Sequence, residues 1–143
     1  MNSADATARI VAFFEHLVPA DAQRIGEFYA ADATFRDPFN DVRGTIEIAR
    51  VFQHMFDQLA DCRFDITETV IGENAAMLVW DFSFRIRSWR PGETQKVHGV
   101  THVRFAADGK VAYHRDYWDA AGELYAKLPV IGPVMRFLQR KLA

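Results

Sequence analysis

The stretch VHGVTHVRFAADGKVAYHRDYW, residues 97–118, decides the fold class. Apolar and polar residues alternate on both sides of Asp108-Gly109, a dipeptide typical of two-residue hairpin turns. Successive side chains of a strand point to opposite faces of a sheet, so this alternation predicts strands rather than helices. We therefore predict an antiparallel hairpin of two strands, at about residues 94–106 and 110–118.

Two more strands are predicted before this hairpin, at about residues 63–71 and 75–89, and Pro91-Gly92 is the turn signal that follows them. If both turns are two-residue loops, Phe82 lies opposite Thr101, and Thr101 lies opposite Asp116. One face of the sheet then carries Trp80, Phe82, Phe84, Val103, Phe105, Ala112 and Trp118, with Thr101, His114 and Asp116 among them. The other face is charged and carries Asp81, His98, His102 and Arg115.

The first part of the chain has a helical period instead. Apolar residues at helical spacing predict helices at about residues 4–17, from Pro19 onward, and after Gly44, with a short strand at 33–37. Helices followed by antiparallel strands indicate the α+β class. We predict one domain over residues 1–143, of which 121–143 is a C-terminal helical tail.

Composition excludes several classes of function. The 143 residues include 17 Lys and Arg and 19 Asp and Glu, a net charge of −2 that provides no field for nucleic acid or for anionic membranes. Cys62 is the single cysteine, which excludes an internal disulfide and favours a buried apolar role. The sequence has neither a signal peptide nor an apolar run of membrane-spanning length, so we expect a cytoplasmic protein. It also lacks a phosphate-binding glycine loop, and we expect no cofactor and no metal.

The candidates for chemistry are the polar residues of the apolar face. Asp116 and His114 project from the same strand into an aromatic surface, where a carboxylate must pair, hydrogen-bond or bind a proton. Such a group suits general acid/base catalysis. Asp116 could instead hold a loop or cap the following helix. Asp37 is a second candidate carboxylate, although Asp-Pro is also a common start of a turn.

These candidates predict an apolar cavity. His98 and His102 fall on the opposite face from His114, which weighs against a metal site. We expect the residues that line the cavity to be Phe13, Tyr29, Trp80, Phe82, Phe84, Thr101 and Trp118, with hydroxyls supplied by Tyr29 and Thr101.

Three segments resemble one superfamily. They are EFYAADATFRDP (27–38), RG (43–44) and GKVAYHRDYWDAAGELY (109–125). The chain resembles the nuclear-transport-factor-two-like superfamily, which includes ketosteroid isomerases, SnoaL-like polyketide cyclases and limonene-1,2-epoxide hydrolase. The resemblance implies a cone-shaped, strongly curved antiparallel sheet wrapped around N-terminal helices, and a homodimer.

The resemblance also implies roles for single residues. Asp37 matches the carboxylate with which ketosteroid isomerases move a proton, whereas their two oxyanion donors fall at Phe13 and Thr101. Asp116 matches the acid/base aspartate of SnoaL-like cyclases. Residues 115–117 are similar to the segment that carries one catalytic aspartate of limonene epoxide hydrolase. The arginine and second aspartate of that enzyme fall at Phe82 and Phe84.

The function predicted from these features is that of a small-molecule-binding, acid/base enzyme of the isomerase, cyclase or hydrolase type. Its substrate would be hydrophobic and would contain a carbonyl group. The alternative is a non-catalytic ligand-binding or dimerisation module of the same fold. We expect the tail to act as a lid over the cavity rather than as an anchor on a membrane surface.

Overall fold

A computed structural model of the chain describes residues 1–123 and 131–142. The helices of these ranges are α1 (Ser3–Glu15), a 3₁₀ helix (Pro19–Gln23), α2 (Ile25–Phe28), α3 (Thr45–Gln58), α4 (Ala120–Glu123) and α5 (Ile131–Leu142). The strands are β1 (Tyr29–Arg36), β2 (Asp41–Arg43), β3 (Leu59–Gly72), β4 (Ala75–Ile86), β5 (Thr94–Phe105) and β6 (Val111–Trp118).

The six strands form one mixed sheet in the order β2-β1-β6-β5-β4-β3. Every neighbouring pair is antiparallel except β1 and β6, which run parallel. The α+β class is confirmed, and the N-terminal helices pack on the sheet. The strongly curved, cone-shaped sheet implied by the resemblance is not found in the described strands, which form an open sheet. The parallel β1–β6 pair also departs from the purely antiparallel sheet that was expected.

Two residues outside the helices fix where α1 and α3 begin. The side chain of Asn2 accepts the backbone N–H of Asp5 and caps α1. Helix α3 begins after Gly44, whose φ of +92° lies in the region that glycine adopts without a steric penalty. The chain can therefore turn sharply from β2 into α3.

The core lies between the helices and one face of the sheet. Ile10 of α1 and Ile48 of α3 are buried against it, as are Leu78 and Val103 on the central strands. Burying side chains of this kind contributes about 1.5–3 kcal/mol each, so this layer is what holds the helices on the sheet.

The predicted register is right for one hairpin and wrong for the other. Thr101 lies opposite Asp116, as the turn at Asp108-Gly109 predicts. Phe82, however, lies opposite Val97 and not opposite Thr101. The cause is the connection between β4 and β5, because residues 87–93 all lie outside the strands and a two-residue loop was assumed. The displacement from 101 to 97 is four residues, an even number, so the side chains of β4 keep their predicted faces. On β6, however, a register shift pairs Phe105 with Val111, and Val111 is buried in the core where Ala112 was predicted.

The C-terminal tail is described in part. The prediction for residues 124–130, including Pro129, lies outside the described residues. Pro133 lies in the first turn of α5, where a backbone N–H has no intrahelical acceptor, so the proline costs the helix no hydrogen bond. None of the helices in the described ranges is long and apolar enough to cross a membrane. The lid function of the tail stays a prediction.

Candidate functional site

A cavity of about 330 Å³ lies between α3 and the sheet. Its walls are mainly aromatic and aliphatic, which suits a hydrophobic small molecule. The strands β3 to β6 line it with Phe64, Ile66, Trp80, Phe82, Phe84, Ile86, Val97, Thr101, His114, Asp116 and Trp118. The other lining residues come from α1, β1, the β1–β2 loop and α3, and from Leu59 at the start of β3. They are Phe14, Phe35, Asp37, Phe39, Asn40, Val51, Phe52, His54, Met55, Gln58 and Leu59.

Two of the predicted lining residues lie elsewhere. Phe13 stacks on Phe28 in the core with ring centroids 4.1 Å apart, and its neighbour Phe14 lines the cavity instead. Tyr29 is 1% exposed and does not line the cavity; it lies behind His114, one of the lining residues. The phenylalanine of α1 that faces the cavity is therefore one position away from the predicted one.

A continuous set of hydrogen bonds surrounds the carboxylate of Asp116. The hydroxyl of Thr101 donates to Oδ1 of Asp116 over 2.6 Å, and Nε2 of His114 lies 2.7 Å from the same oxygen. The indole Nε1 of Trp80 donates to the hydroxyl oxygen of Thr101 over 2.7 Å. Thr101 thus relays a hydrogen bond from a buried indole to the carboxylate.

The other ring nitrogen of His114, Nδ1, lies 2.9 Å from the hydroxyl of Tyr29. Burial, and to a lesser degree the charge of Asp116, raise the pKa of Tyr29 well above its ordinary value of 10.0. The phenol therefore keeps its proton at neutral pH. With a neutral imidazole it donates to Nδ1, and Nε2 carries the proton that is donated to Asp116.

Asp116 is the most exposed member of this network. The residues Tyr29, Trp80, Thr101 and His114 are each 1–4% exposed, whereas the side chain of Asp116 is 18% exposed. Its Oδ1 atom accepts both hydrogen bonds, and no described residue donates to Oδ2. The network therefore orients the carboxylate and leaves one oxygen for a bound molecule.

Asp37 also lines the cavity, but its carboxylate is engaged. Oδ1 accepts the backbone N–H of Phe39 over 2.8 Å and that of Asn40 over 2.7 Å, and the side-chain amide of Asn40 contacts both oxygens at 3.1 Å. This is the turn geometry that an Asp-Pro sequence favours. Asp37 therefore holds the β1–β2 loop at the edge of the cavity.

Helix capping was the other role predicted for Asp116, but Asp119 is the residue that caps the following helix. The backbone N–H of Gly122 in α4 donates to Oδ1 of Asp119 over 2.8 Å. Asp119 thus caps α4, and the bonds of Asp116 all go to the cavity network.

Exposed residues mark the mouth of the cavity. Phe39 is 54% exposed, and its ring meets that of Trp118 edge-on with centroids 5.7 Å apart. His54 and Gln58, one turn apart on α3, are also exposed and line the opening. The mouth is therefore bounded by the β1–β2 loop, the end of β6 and the outer side of α3.

Sequence reasoning missed several walls of the cavity. Val51, Phe52 and Met55 belong to the apolar stripe of α3, and the helical period could have placed them on the cavity side. Phe64 stacks on Phe82 with centroids 4.2 Å apart, a contact between neighbouring strands that needs the register of β3 and β4. Among the described residues, no group of three or more His, Cys, Asp or Glu side chains could hold a metal ion.

The chain matches one protein family by sequence, and many solved structures share its fold. Residues 10–114 match the sequence profile of the SnoaL-like domain. No curated protein matches the chain. The solved structures that it resembles include a hypothetical protein with a ketosteroid isomerase-like fold from Catenulispora acidiphila, in complex with trimethylamine. That structure has a TM-score of 0.71 and 15% identity, over 80% of this chain and 88% of the other.

Two further structures have the same TM-score of 0.71. One is an LEH-like epoxide hydrolase from M. tuberculosis, at 17% identity over 96% of this chain and 98% of the other. The second is an NTF2-like protein of unknown function from Burkholderia pseudomallei, at 15% identity over 85% and 94% of the two chains. At these identities the likeness establishes the fold.

Proposed function

Because the chain belongs to the SnoaL-like domain family, we propose that it is an acid/base enzyme that acts on a hydrophobic, carbonyl-containing small molecule. The observation that carries the proposal is the carboxylate of Asp116 at the wall of an apolar cavity, with Oδ1 held by two hydrogen bonds and no donor to Oδ2 in the described part of the chain. A base in this arrangement has a defined direction toward a bound molecule, which general acid/base catalysis requires.

In the proposed reaction, Oδ2 of Asp116 removes a proton from the carbon next to the carbonyl group. Return of the proton at another carbon gives an isomerisation. Attack of the resulting carbanion on a second carbonyl carbon of the same molecule gives a cyclisation, and the alkoxide that forms takes the proton back from Asp116. If Asp116 removes a proton from water instead, the hydroxide attacks the carbonyl carbon, the bond to the leaving group breaks, and the leaving group takes the proton, which gives a hydrolysis. The aromatic walls hold the apolar part of the substrate and keep bulk water away from the base.

Thr101 and His114 act as positioning residues in this proposal. Each is fixed in turn by a buried partner, Thr101 by the indole of Trp80 and His114 by the phenol of Tyr29. Asp37 has a structural part, since its bonds hold the loop with Phe39 at the cavity mouth.

Two of the similar structures support this proposal at the level of the fold. One is an LEH-like epoxide hydrolase, so this fold hosts an enzyme, and another holds trimethylamine, so it also accepts a small organic molecule. The choice between isomerase, cyclase and hydrolase rests on the chemistry of the substrate.

A non-catalytic ligand-binding module is the second candidate. It is favoured by one observation, namely that Tyr29, His114, Thr101 and Oδ1 of Asp116 are hydrogen-bonded to one another without a ligand. Such a network could serve to fill the core with paired polar groups.

Hydrogen exchange at carbon distinguishes these two candidates and does not require the natural substrate. A panel of hydrophobic ketones is incubated with the protein in D₂O, and deuterium at the carbon next to the carbonyl is followed by NMR. The wild type should accelerate exchange of at least one ketone, and Asp116→Asn should lose about 10²–10⁴-fold of that rate, the usual contribution of a general base.

The matched control is Asp119→Asn, the same change at the cap of α4, which should exchange like the wild type. Ligand binding, followed by tryptophan fluorescence, should survive in Asp116→Asn. Equal exchange rates in the wild type and Asp116→Asn would refute the acid/base role. Binding without any exchange in the wild type would favour the non-catalytic module.

Three expectations complete the proposal. We propose a homodimer that forms through the charged outer face of the sheet, a cytoplasmic location, and a lid function for α5 of the tail. Light scattering coupled to size exclusion would measure the mass in solution, and a mass of one chain would exclude the dimer.

A further inference from the structure

Most hydrogen-bond donors of the cavity wall are engaged with other protein groups. The indole of Trp80 donates to Thr101, and both Thr101 and His114 donate to Asp116. The side-chain amide of Asn40 donates to the carboxylate that anchors the β1–β2 loop. These groups are therefore occupied when a carbonyl compound enters, although the enolate that forms on proton removal needs a donor at its oxygen.

Three side chains of the wall keep a free N–H group, and all three lie at the cavity mouth. They are His54, Gln58 and Trp118, whose side chains donate to no other residue in the described ranges. His54 and Gln58 are exposed on α3, across the cavity from the sheet, where water competes for their hydrogen bonds. Trp118 is half-buried and belongs to β6, the strand that carries Asp116. Trp118 is therefore the donor nearest to the base along the wall.

Trp118 and Asp116 are neighbours on one face of β6, and both line the cavity. Residues two apart in a strand point to the same side, with a spacing of about 6.5 Å along the backbone. His114, two residues before Asp116, is only 3% exposed, so β6 leads from the buried imidazole past the base to the indole at the mouth. One carbonyl group can thus have its oxygen at Nε1 of Trp118 and its neighbouring carbon at Oδ2 of Asp116.

Packing holds the side chain of Trp118 in place. The ring of Phe39 meets the indole edge-on, with centroids 5.7 Å apart. Gly99, the register partner of Trp118 on β5, leaves the room that the tryptophan needs, since a Cβ atom on Gly99 would lie 2.9 Å from Cβ of Trp118. A donor that is held before the reaction needs no reorganisation when charge develops on the oxygen.

We propose that Trp118 is a second catalytic residue, whose Nε1–H group donates a hydrogen bond to the carbonyl oxygen of the substrate. The inference rests on the proposed function, because it assumes that Asp116 removes the proton. In this step the C–H bond breaks and its proton goes to Oδ2 of Asp116. The electron pair of that bond forms a carbon–carbon double bond, and the π pair of the carbonyl group moves onto oxygen. The indole keeps its own proton and stabilises the enolate.

This arrangement also narrows the substrate class. Because Trp118 lies at the mouth, the carbonyl oxygen would face the opening, and the apolar remainder of the substrate would fill the interior near Trp80 and Phe82. Ketones with the carbonyl group near one end of an apolar chain are therefore favoured over ketones with the group in the middle.

The first test follows deuterium exchange of methyl pentyl ketone in D₂O for the wild type, W118F and W89F. W118F keeps an aromatic ring and removes the N–H group. W89F is the matched control, because Trp89 lies between β4 and β5 and does not line the cavity. At saturating ketone, W118F should lose about 10²–10³-fold of the exchange rate, the usual effect of one oxyanion donor, and W89F should exchange like the wild type. Dipropyl ketone, an isomer of the probe, should be accelerated less over its uncatalysed rate.

The second test measures binding and needs no turnover. Calorimetry compares methyl pentyl ketone with the alkene in which a CH₂ group replaces the oxygen. The ratio of ketone to alkene affinity should fall about 2–10-fold in W118F, the range that one neutral hydrogen bond provides, and should stay unchanged in W89F. Retained affinity for the alkene shows that W118F is folded. In the wild type, the indole N–H resonance of Trp118 should move downfield with the ketone but not with the alkene, a readout that needs no variant.

Equal exchange rates and equal affinity ratios for W118F and the wild type would overturn the role of Trp118 and leave Asp116 as the base. An indole resonance that responds equally to the ketone and the alkene would overturn it as well. If the wild type exchanges no ketone, the acid/base function fails, and the affinity ratio and the indole resonance show separately whether Trp118 binds a carbonyl oxygen. Greater acceleration of dipropyl ketone would contradict the orientation at the mouth.

Discussion

The hydroxyl of Tyr29 and Nδ1 of His114 lie 2.9 Å apart in the interior, although the two residues are 85 positions apart in the chain. The carboxylate of Asp116 only accepts, so a neutral imidazole donates from Nε2 and accepts the hydrogen bond of the Tyr29 hydroxyl at Nδ1. Nε2 contacts Asp116, the carboxylate that we propose as the base. Tyr29, which lies outside the cavity, thus acts through His114 on the orientation of Asp116, the residue that would contact a ligand.

Tyr29→Phe should destabilise the protein by about 1–3 kcal/mol at pH 7, because Nδ1 of His114 is left buried without a donor. The measurement is the free energy of unfolding from urea denaturation. Tyr117→Phe is the matched control, since Tyr117 is 47% exposed and its ring contact with Arg115 does not need the hydroxyl. Equal stability of Tyr29→Phe and the wild type would contradict the assigned hydrogen bond.

The raised pKa of Tyr29 also predicts that the free energy of unfolding depends on pH in the alkaline range. The pKa of Tyr29 is higher in the folded chain than in the unfolded chain, where it is about 10. Its contribution to stability is therefore complete below about pH 10 and is lost as the pH rises toward the folded pKa. Above pH 10 the wild type should lose free energy of unfolding more steeply than Tyr29→Phe, and parallel pH profiles would contradict this linkage.

Gly99→Ala should disturb the cavity wall. A Cβ atom at this position would lie 2.6 and 2.7 Å from two ring carbons of Trp80 and 2.9 Å from Cβ of Trp118. We expect a loss of about 1–3 kcal/mol, the usual cost of overpacking, and a shifted tryptophan emission as the indole moves away from Thr101. Gly26→Ala is the control, because the added methyl group would meet no atom within 4 Å beyond its chain neighbours and the backbone of its own helix. An unchanged emission spectrum in Gly99→Ala would show that the indole tolerates the methyl group.

The thiol of Cys62 should react slowly. Burial raises its pKa to about 11, so little thiolate is present at neutral pH. At pH 8 the reaction of the folded protein with an aromatic disulfide reagent should be about 100-fold slower than that of free cysteine, and it should accelerate steadily up to about pH 11. The urea-unfolded protein, which has the same thiol without the burial, should react at the rate of free cysteine. Rapid reaction of the folded protein at pH 8 would be the contrary result.

Gln95→Met should stabilise the protein. The side chain of Gln95 is buried, and its Nε2 atom has no hydrogen-bond partner. Replacing this amide by an apolar side chain of similar length removes the cost of the unpaired donor, a gain of about 1 kcal/mol in the free energy of unfolding. Gln23→Met, at an exposed position, should change it by less than about 0.5 kcal/mol. A destabilised Gln95→Met would indicate that the amide has a favourable interaction.

Local signals were sufficient for much of the fold. The turn at Asp108-Gly109 and the alternation on both sides of it predicted β5, β6 and their register. The apolar stripe of α3 predicted that helix almost to its ends. In both cases neighbours along the chain supply the information, since a tight turn sets the register of the strands that it joins.

The sequence predicted which residues of the candidate site face the cavity, but it did not predict the contacts between them. The position of Asp116 and His114 on the apolar face follows from the alternation of β6. The role of Asp37 as a loop anchor depends on Asn40 and on the course of the β1–β2 loop. The phenol that orients His114 belongs to β1, and the parallel pairing of β1 with β6 brings it there.

The sequence by itself determined which face of the sheet Trp80, Phe82, His114 and Asp116 occupy, because alternation has a period of two and an even displacement of register leaves it unchanged. Tertiary structure decided the partners: residues 87–93 placed Phe82 opposite Val97, and the β1–β6 pair placed Arg36 beside Arg115. Such pairings depend on loop geometry and on contacts between distant segments, which a local pattern of apolar and polar residues does not encode.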